Sequence, residues 1–313
     1  MIKKILFFSL LLLIIQPTTS FSQNKTNDQR LEVQGLAINP FLIETEIEPG
    51  QSDKRSITLF NTTEQPLPIS VSINDFTPYG PSGQPRFLES NETTDQRFSL
   101  SSWITITKQP ELTIPAKGTT SIDFTINPPE GSEPGTHYGG ILFSWRSNPV
   151  NNAVTVNQKV GTIILAKLGK AEQNGSISSF QKQNNNQTQS FVLGFNNTGN
   201  VHLKPKGEIF ISNMFGRQVA DLFINPNAEV VLPHNTRTFQ VNWPNAPKFG
   251  WYTATVVLYY GSPKIETRAS VRMLITPSTT SMVLIVITSL VGIALIIFGI
   301  KRYNAWLRRK YGV

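Results

Sequence analysis

The side chains able to do chemistry in this 313-residue chain are few and scattered. There is no cysteine, which removes thiolate zinc sites, iron–sulfur clusters, disulfides and cysteine nucleophiles. The three histidines, His137, His202 and His234, show no metal-ligand spacing such as H-x3-H. Asp75 and Asp123 are isolated carboxylates, and nothing in the sequence requires them to meet as a glycosidase pair. Nucleophile elbows, H-E-x-x-H, S-x-x-K, calcium loops and phosphate-cradling glycine loops are all missing. The expectation is a protein that is not an enzyme, with no cofactor and no metal. Tyr138 and Tyr252 each follow a glycine turn at the start of a late strand, the position of the corner tyrosine in immunoglobulin-like sandwiches, whose hydroxyl bonds back to the main chain. Trp103, Trp145 and Trp243 lie in or beside strands and read as packing residues.

The elements that position these residues are strands. From Leu31 to Thr276 short alternating or apolar runs, such as Ser56–Phe60, Ser121–Ile126 and Trp251–Tyr260, are separated by turn clusters such as Glu48-Pro49-Gly50 and Asn196-Asn197-Thr198-Gly199-Asn200. Helical periodicity is absent there, which predicts β-sandwiches. Gln181–Ser190 is a polar low-complexity stretch between two strands and reads as an exposed hairpin loop. An internal repeat divides the region. Ile57–Asn61 is echoed by Val192–Asn196, the Pro115 turn by the Pro233 turn, and Gly135–Tyr138 by Gly250–Tyr252. The fold class expected is all-β: two tandem immunoglobulin-like sandwiches over 31–168 and 171–276, plus one C-terminal transmembrane helix.

The two ends carry topology. Lys3 and Lys4 precede an 11-residue apolar run, Ile5–Ile15, and Ser20-Phe21-Ser22 offers a cleavage site after Ser20 or Ser22, so 1–22 reads as a signal peptide. Met282–Ile300 is 19 residues without a charge, about 29 Å as a helix, which matches the hydrocarbon core of a bilayer. Lys301, Arg302, Arg308, Arg309 and Lys310 follow in the 301–313 tail and place it on the cytoplasmic side, a single-pass type I arrangement. These five cations and the two near the start make up most of the net charge of +8. The ectodomain is nearly neutral, so the basic balance reflects topology and gives no reason to expect nucleic acid as a partner. A cysteine-free ectodomain fits a bacterial surface.

Several segments resemble the WxL-interacting protein family of bacterial membrane-anchored surface proteins with two immunoglobulin-like domains. They are Ile47-Glu48-Pro49-Gly50, Asn74-Asp75-Phe76, Trp103-Ile104, Ile114–Gly118, Pro134–Ile141 and Asn197–Gly207. The resemblance implies a peptidoglycan-binding first domain, a second domain that engages surface or host proteins, and work alongside secreted WxL proteins. The chain has no Trp-x-Leu motif of its own, so it would be the anchored partner. Expected partners are therefore the membrane bilayer, peptidoglycan, and WxL-type or other surface proteins, with the binding residues unassigned. The alternative is a structural spacer or a chaperone-like envelope protein without glycan binding.

Overall fold

The computed structural model describes residues 30–312 except 34, 90–91, 93–95, 108–110, 147–156, 186–187 and 278. The signal peptide expected over 1–22 lies outside the described residues. The described residues form two β-sandwiches in tandem followed by one long helix.

In the first sandwich one sheet carries β1 (Leu31–Val33), β2 (Leu36–Asn39), β4 (Asp53–Asn61), β10 (Thr119–Ile126) and β8 (Ile104–Ile106), in the order β1-β2-β4-β10-β8. The facing sheet has the order β3-β12-β11-β5-β9, from β3 (Leu42–Ile47), β5 (Leu67–Asn74), β9 (Glu111–Ile114), β11 (Gly135–Arg146) and β12 (Asn157–Leu168). Strand β3 pairs with β12 in parallel, and the other pairs of this sandwich are antiparallel. Alternation explains the core: Ile57 and Leu59 on β4, Ile122 and Phe124 on β10, and Ile141 and Phe143 on β11 all point inward.

A two-stranded hairpin of β6 (Phe76–Tyr79) and β7 (Gln84–Phe87) leaves this body and folds over it. Phe87 lies across β11 and β12 where both have glycine. A Cβ on Gly140 would stand 2.7 Å from the Phe87 ring and 2.6 Å from the Thr162 carbonyl, and one on Gly161 would stand 3.2 Å from the ring. Close approach of the hairpin therefore requires those two glycines.

The second sandwich packs a three-stranded sheet, β13-β14-β17, on a four-stranded one, β16-β15-β18-β19. Its strands are β13 (Gly175–Asn185), β14 (Thr188–Asn197), β15 (Lys206–Asn213), β16 (Gln218–Ile224), β17 (Thr236–Trp243), β18 (Gly250–Tyr260) and β19 (Ile265–Ile275). Phe191, Leu193 and Phe195 alternate into a core with Phe239, Trp243, Val256 and Leu258. The segment expected to be a hairpin loop, Gln181–Ser190, does lie in a hairpin, but most of it is in the paired strands: Gln181–Asn185 pair in register with Thr188–Val192. Asn and Gln have low strand propensity, but the long register set by Phe191 and Leu193 further along carries these residues into the ladder.

The repeat is real, but its register is one residue from that read in the sequence. Asn61 corresponds to Asn197, not Asn196. Each is buried, and each donates from Nδ2 to three main-chain carbonyls: Asn61 to Gln65, Ile114 and Pro115 at 2.8–3.1 Å, and Asn197 to Val201, Val231 and Leu232 at 2.8–3.2 Å. Each Oδ1 accepts from the main-chain N–H two residues on. The same bonds align Ile114 with Val231 and Lys117 with His234, both of the latter at φ 54°. The two prolines used as landmarks are thus one position out of step. A slip of one residue exchanges the two faces of a strand, so only burial decides the match.

Helix α1 spans Thr279–Tyr311, 33 residues, and runs on through the basic tail beyond the apolar segment. It is long and apolar enough to cross a membrane.

Candidate functional site

Three surfaces stand out: a polar row across the first sandwich, the junction between the sandwiches, and a groove beside that junction.

The polar row crosses four strands. Ladder pairing puts Glu111 of β9 opposite Ser70 of β5, Ser70 opposite Ser144 of β11, and Ser144 opposite Lys159 of β12. Core residues on either side, among them Ile69, Phe143 and Val160, are buried, so these four face outward. Adjacent strands lie about 4.8 Å apart, which makes the row roughly 14 Å long, with a carboxylate at one end, an ammonium at the other and two hydroxyls between. The Ser144 hydroxyl reaches the Ser70 carbonyl at 3.4 Å. Pro68, Thr113, Arg146 and Asn157 extend the surface into a shallow depression of about 650 Å³.

The junction is built by residues far apart in sequence. Leu232 and Val230 of the second sandwich complete an apolar cluster with Phe76, Phe98, Tyr138 and Leu165 of the first. Rings of Phe98 and Tyr138 stack at 5.8 Å, and Phe98 meets His234 at 5.7 Å. The turn of the β6–β7 hairpin reaches across: the Thr238 N–H donates to the Pro81 carbonyl at 2.7 Å. Next to it the buried start of β11 meets the loop before β15. The Thr136 N–H donates to the Asn200 carbonyl at 2.8 Å, and the His202 N–H donates to the Thr136 hydroxyl at 3.1 Å. Gly135, at φ 140°, lets this contact form, because a Cβ there would lie 2.6 Å from the Asn200 carbonyl.

Charges close the same contact. Glu44 of β3 receives Lys204 Nζ, and His202 Nε2 lies 3.2 Å from its other oxygen. The hydrogen bond with His202, with Lys204 adding to it, holds the Glu44 carboxyl down to about 2 against the opposing pull of burial. A groove of about 1170 Å³ opens beside this cluster, lined by Lys206, Phe223, Tyr259 and Arg268 among others.

The corner residues occupy two environments. Tyr252 faces the second core and its hydroxyl donates to the Phe249 carbonyl at 3.2 Å. Its ring meets Trp243 at 5.6 Å. In the first sandwich the matching inward place, two residues after the positive-φ glycine, is held by His137. The Nε2 of His137 lies 2.9 Å from the Glu133 carbonyl, its ring meets Trp103 at 4.3 Å, and burial pushes its pKa down. Tyr138, one residue on, points the other way into the junction. Trp145 and Trp243 are core residues, and Trp103 packs against the first core.

The remaining candidates separate. Asp75 is saturated as a clamp on the turn Ser101–Trp103, accepting from the N–H groups of Leu100 and Ser101 and the hydroxyls of Ser99 and Ser101 at 2.7–3.0 Å. Asp123 is exposed on β10 of the opposite sheet. Among the described residues no group of three or more His, Asp or Glu side chains is placed to hold a metal. Lys301, Arg302, Arg308, Arg309 and Lys310 all lie exposed on the last turns of α1, where Lys310 Nζ sits 4.8 Å from the Trp306 ring.

Sequence reasoning passed over Glu44, His202, Lys204, Glu111, Ser70, Ser144 and Lys159. The only available signal was the alternation His202-Leu203-Lys204, which sets both cations on one face. Their common anion lies some 160 residues away.

Comparison with known proteins adds the following. Residues 44–144 match the family model described as WxL Interacting Protein, peptidoglycan binding domain. A search of curated proteins finds no match. Among solved structures the chain is similar to the class 5 fimbriae chaperone CfaA, with 14% identity, coverage of 77% of this chain and 99% of that one, and a TM-score of 0.38. It is also similar to the E. coli chaperone DraB (9% identity, 76% and 96% covered, TM-score 0.36) and to a protein of unknown function from Porphyromonas gingivalis W83 (12%, 76% and 100%, 0.31). The match over 44–144 covers most of the first sandwich and bears out the resemblance read in the sequence: that segment is similar to the peptidoglycan binding domain of the WxL-interacting protein family.

Proposed function

We propose that the chain is a non-enzymatic surface protein that holds peptidoglycan with its first sandwich while α1 anchors it in the cell membrane. The observation that carries the reading is the family match over 44–144. We assign the contact to the row Glu111, Ser70, Ser144 and Lys159. Of the three depressions described, theirs alone is lined wholly by the first sandwich. Hydroxyls suit hydrogen bonding to sugars, and the terminal charges suit the ionised groups of stem peptides. The two domains extend over 31–168 and 171–276 behind a cleaved signal peptide. The five cations that follow the apolar run place the tail inside and both sandwiches outside. The second sandwich engages surface proteins, WxL proteins among them, as the resemblance implies.

The test is co-sedimentation of the detergent-solubilised full chain with purified, protein-free cell walls. Wild type should pellet. Lys159→Glu with Ser144→Glu should lose about tenfold in apparent affinity, about 1.4 kcal/mol. Equal pelleting of the variant would move the contact elsewhere on the sandwich, and no pelleting by wild type would remove wall binding altogether. The interlocked junction favours a second role as a spacer of fixed geometry. Loosening the junction would then change function without changing wall affinity.

A further inference from the structure

The end of the second sandwich nearest α1 gathers several large apolar side chains in the open. Three pieces of chain converge there: the β15–β16 turn, the start of β18 and the end of β19, with Asn213 opposite Tyr252 and Trp251 opposite Leu274. They present Met214, Phe215, Phe249 and Trp251, which are 67%, 84%, 72% and 57% exposed. The fold does not need these side chains. The β15–β16 turn is held by Asn213 Oδ1, which accepts from the N–H groups of Phe215 and Arg217 at 3.0–3.1 Å, so its shape is independent of what Phe215 carries. Exposed aromatic side chains clustered at one end of a domain mark a contact surface.

The charge there has one sign. Arg217, Lys248 and Arg272 are exposed around the cluster, and 213–220, 242–256 and 269–277 contain no Asp or Glu. The β13–β14 hairpin runs alongside, with Lys182 Nζ 3.4 Å from the Leu274 carbonyl.

Chain connectivity names the occupant. Only six residues separate Ile275 from Met282, where the uncharged run begins, and fully extended they reach about 20 Å. Aromatic rings with a basic fringe are the composition that favours a lipid headgroup boundary. We propose that this end of the second sandwich docks on the outer face of the bilayer that α1 spans, with Phe215, Phe249 and Trp251 in the interfacial layer and Arg217, Lys248 and Arg272 against anionic headgroups. The proposal rests on reading α1 as a membrane span. Docking at two points, the helix and the aromatic end, would hold both sandwiches at a set orientation above the membrane, because the junction joins them.

The absence of cysteine makes the test direct. Single variants Phe215→Cys, Gln218→Cys, Lys264→Cys and Ala294→Cys of the full chain are labelled with a nitroxide in nanodiscs of equal parts phosphatidylcholine and phosphatidylglycerol. Collision with oxygen is compared with collision with a water-soluble nickel chelate. Lys264 lies in the turn at the opposite end of β18 and β19, and Ala294 lies mid-way along the apolar run. Labels at 215 and 218 should lose nickel-chelate collisions and gain oxygen collisions relative to 264. Arg217→Glu with Lys248→Glu should restore nickel access to the label at Phe215→Cys. If 215 and 218 are as open to nickel as 264 while 294 is protected, docking is wrong and the membrane span stands. If 294 is open to nickel, the span fails and docking fails with it. Labels at 215 and 218 shielded from both probes would mean protein, such as a second copy, covers this end, and that outcome also overturns the proposal.

Discussion

The two sandwiches are built around the same device and finish their surfaces in opposite ways. Asn61 and Asn197 each tie the end of an inner strand to the next turn by three carbonyl contacts. The first sandwich then covers itself. Phe87 closes over Gly140 and Gly161, the β6–β7 hairpin straps toward its neighbour, and Leu232 fills the remaining apolar gap. The second sandwich leaves Phe215, Phe223, Phe249 and Trp251 in the open, mainly on its four-stranded sheet and the turn at the end nearest α1. A surface that folds its own chain over its aromatics offers polar groups to a ligand, as the row from Glu111 to Lys159 does. One that keeps its aromatics outside must find cover in something other than its own chain.

The shared device should give the largest effects and make the comparison symmetrical. Asn61→Ala and Asn197→Ala each leave buried carbonyls without donors, so each should cost about 2–4 kcal/mol in chemical denaturation. A loss below about 1 kcal/mol in one sandwich alone would show that the two clamps are not equivalent.

The self-covering surface comes next. Gly140→Val drives a side chain into Phe87 and the Thr162 carbonyl and should cost about 1–3 kcal/mol. Hydrogen exchange should accelerate in β6 and β7 and leave β13–β19 unchanged. Acceleration in the second sandwich too would mean that the junction transmits the strain.

The junction itself is sensitive to acid. Glu44 titrates lower in the folded chain than the ordinary carboxylate value of 4.5, so its contribution is fully present above about 4.5 and is lost as pH falls toward about 2. Its side chain is 34% exposed, and solvent screening reduces the contribution to about 1–2 kcal/mol. Glu44→Gln should therefore be less stable than wild type at pH 7 by that amount, with the difference shrinking below pH 4.5. A difference independent of pH would assign the effect to packing in place of charge.

The smallest effect sharpens the contrast most. Phe215→Ser with Phe249→Ser should change folding stability by no more than about 0.5 kcal/mol, because neither side chain is packed. The same pair should abolish contact of the aromatic end with lipid. A large loss of stability would show that these rings belong to the fold.

Much of this architecture is legible along the chain. Alternation over Ile57, Leu59 and Asn61 announces a half-buried strand, and the uncharged run from Met282 announces a helix of bilayer length. Polar residues were harder to place. Asn196 and Asn197 look alike in sequence, and only the face each occupies decides which is the clamp. Tyr138 and Tyr252 share a motif, yet one extra residue after Gly135 sends Tyr138 into the junction and puts His137 in the inward place.

Local composition determined that the chain is β-sheet, that it repeats, that it carries an apolar helix and that its net positive charge sits largely near its ends, because each property is carried by residues close together in the chain. Tertiary structure alone decided which carboxylate meets His202, which glycines seat Phe87, which four side chains line up across the first sandwich and which aromatics stay uncovered. Those are meetings of strands tens to more than a hundred residues apart. Their register is chosen by the burial of whole faces and not by any short run of sequence.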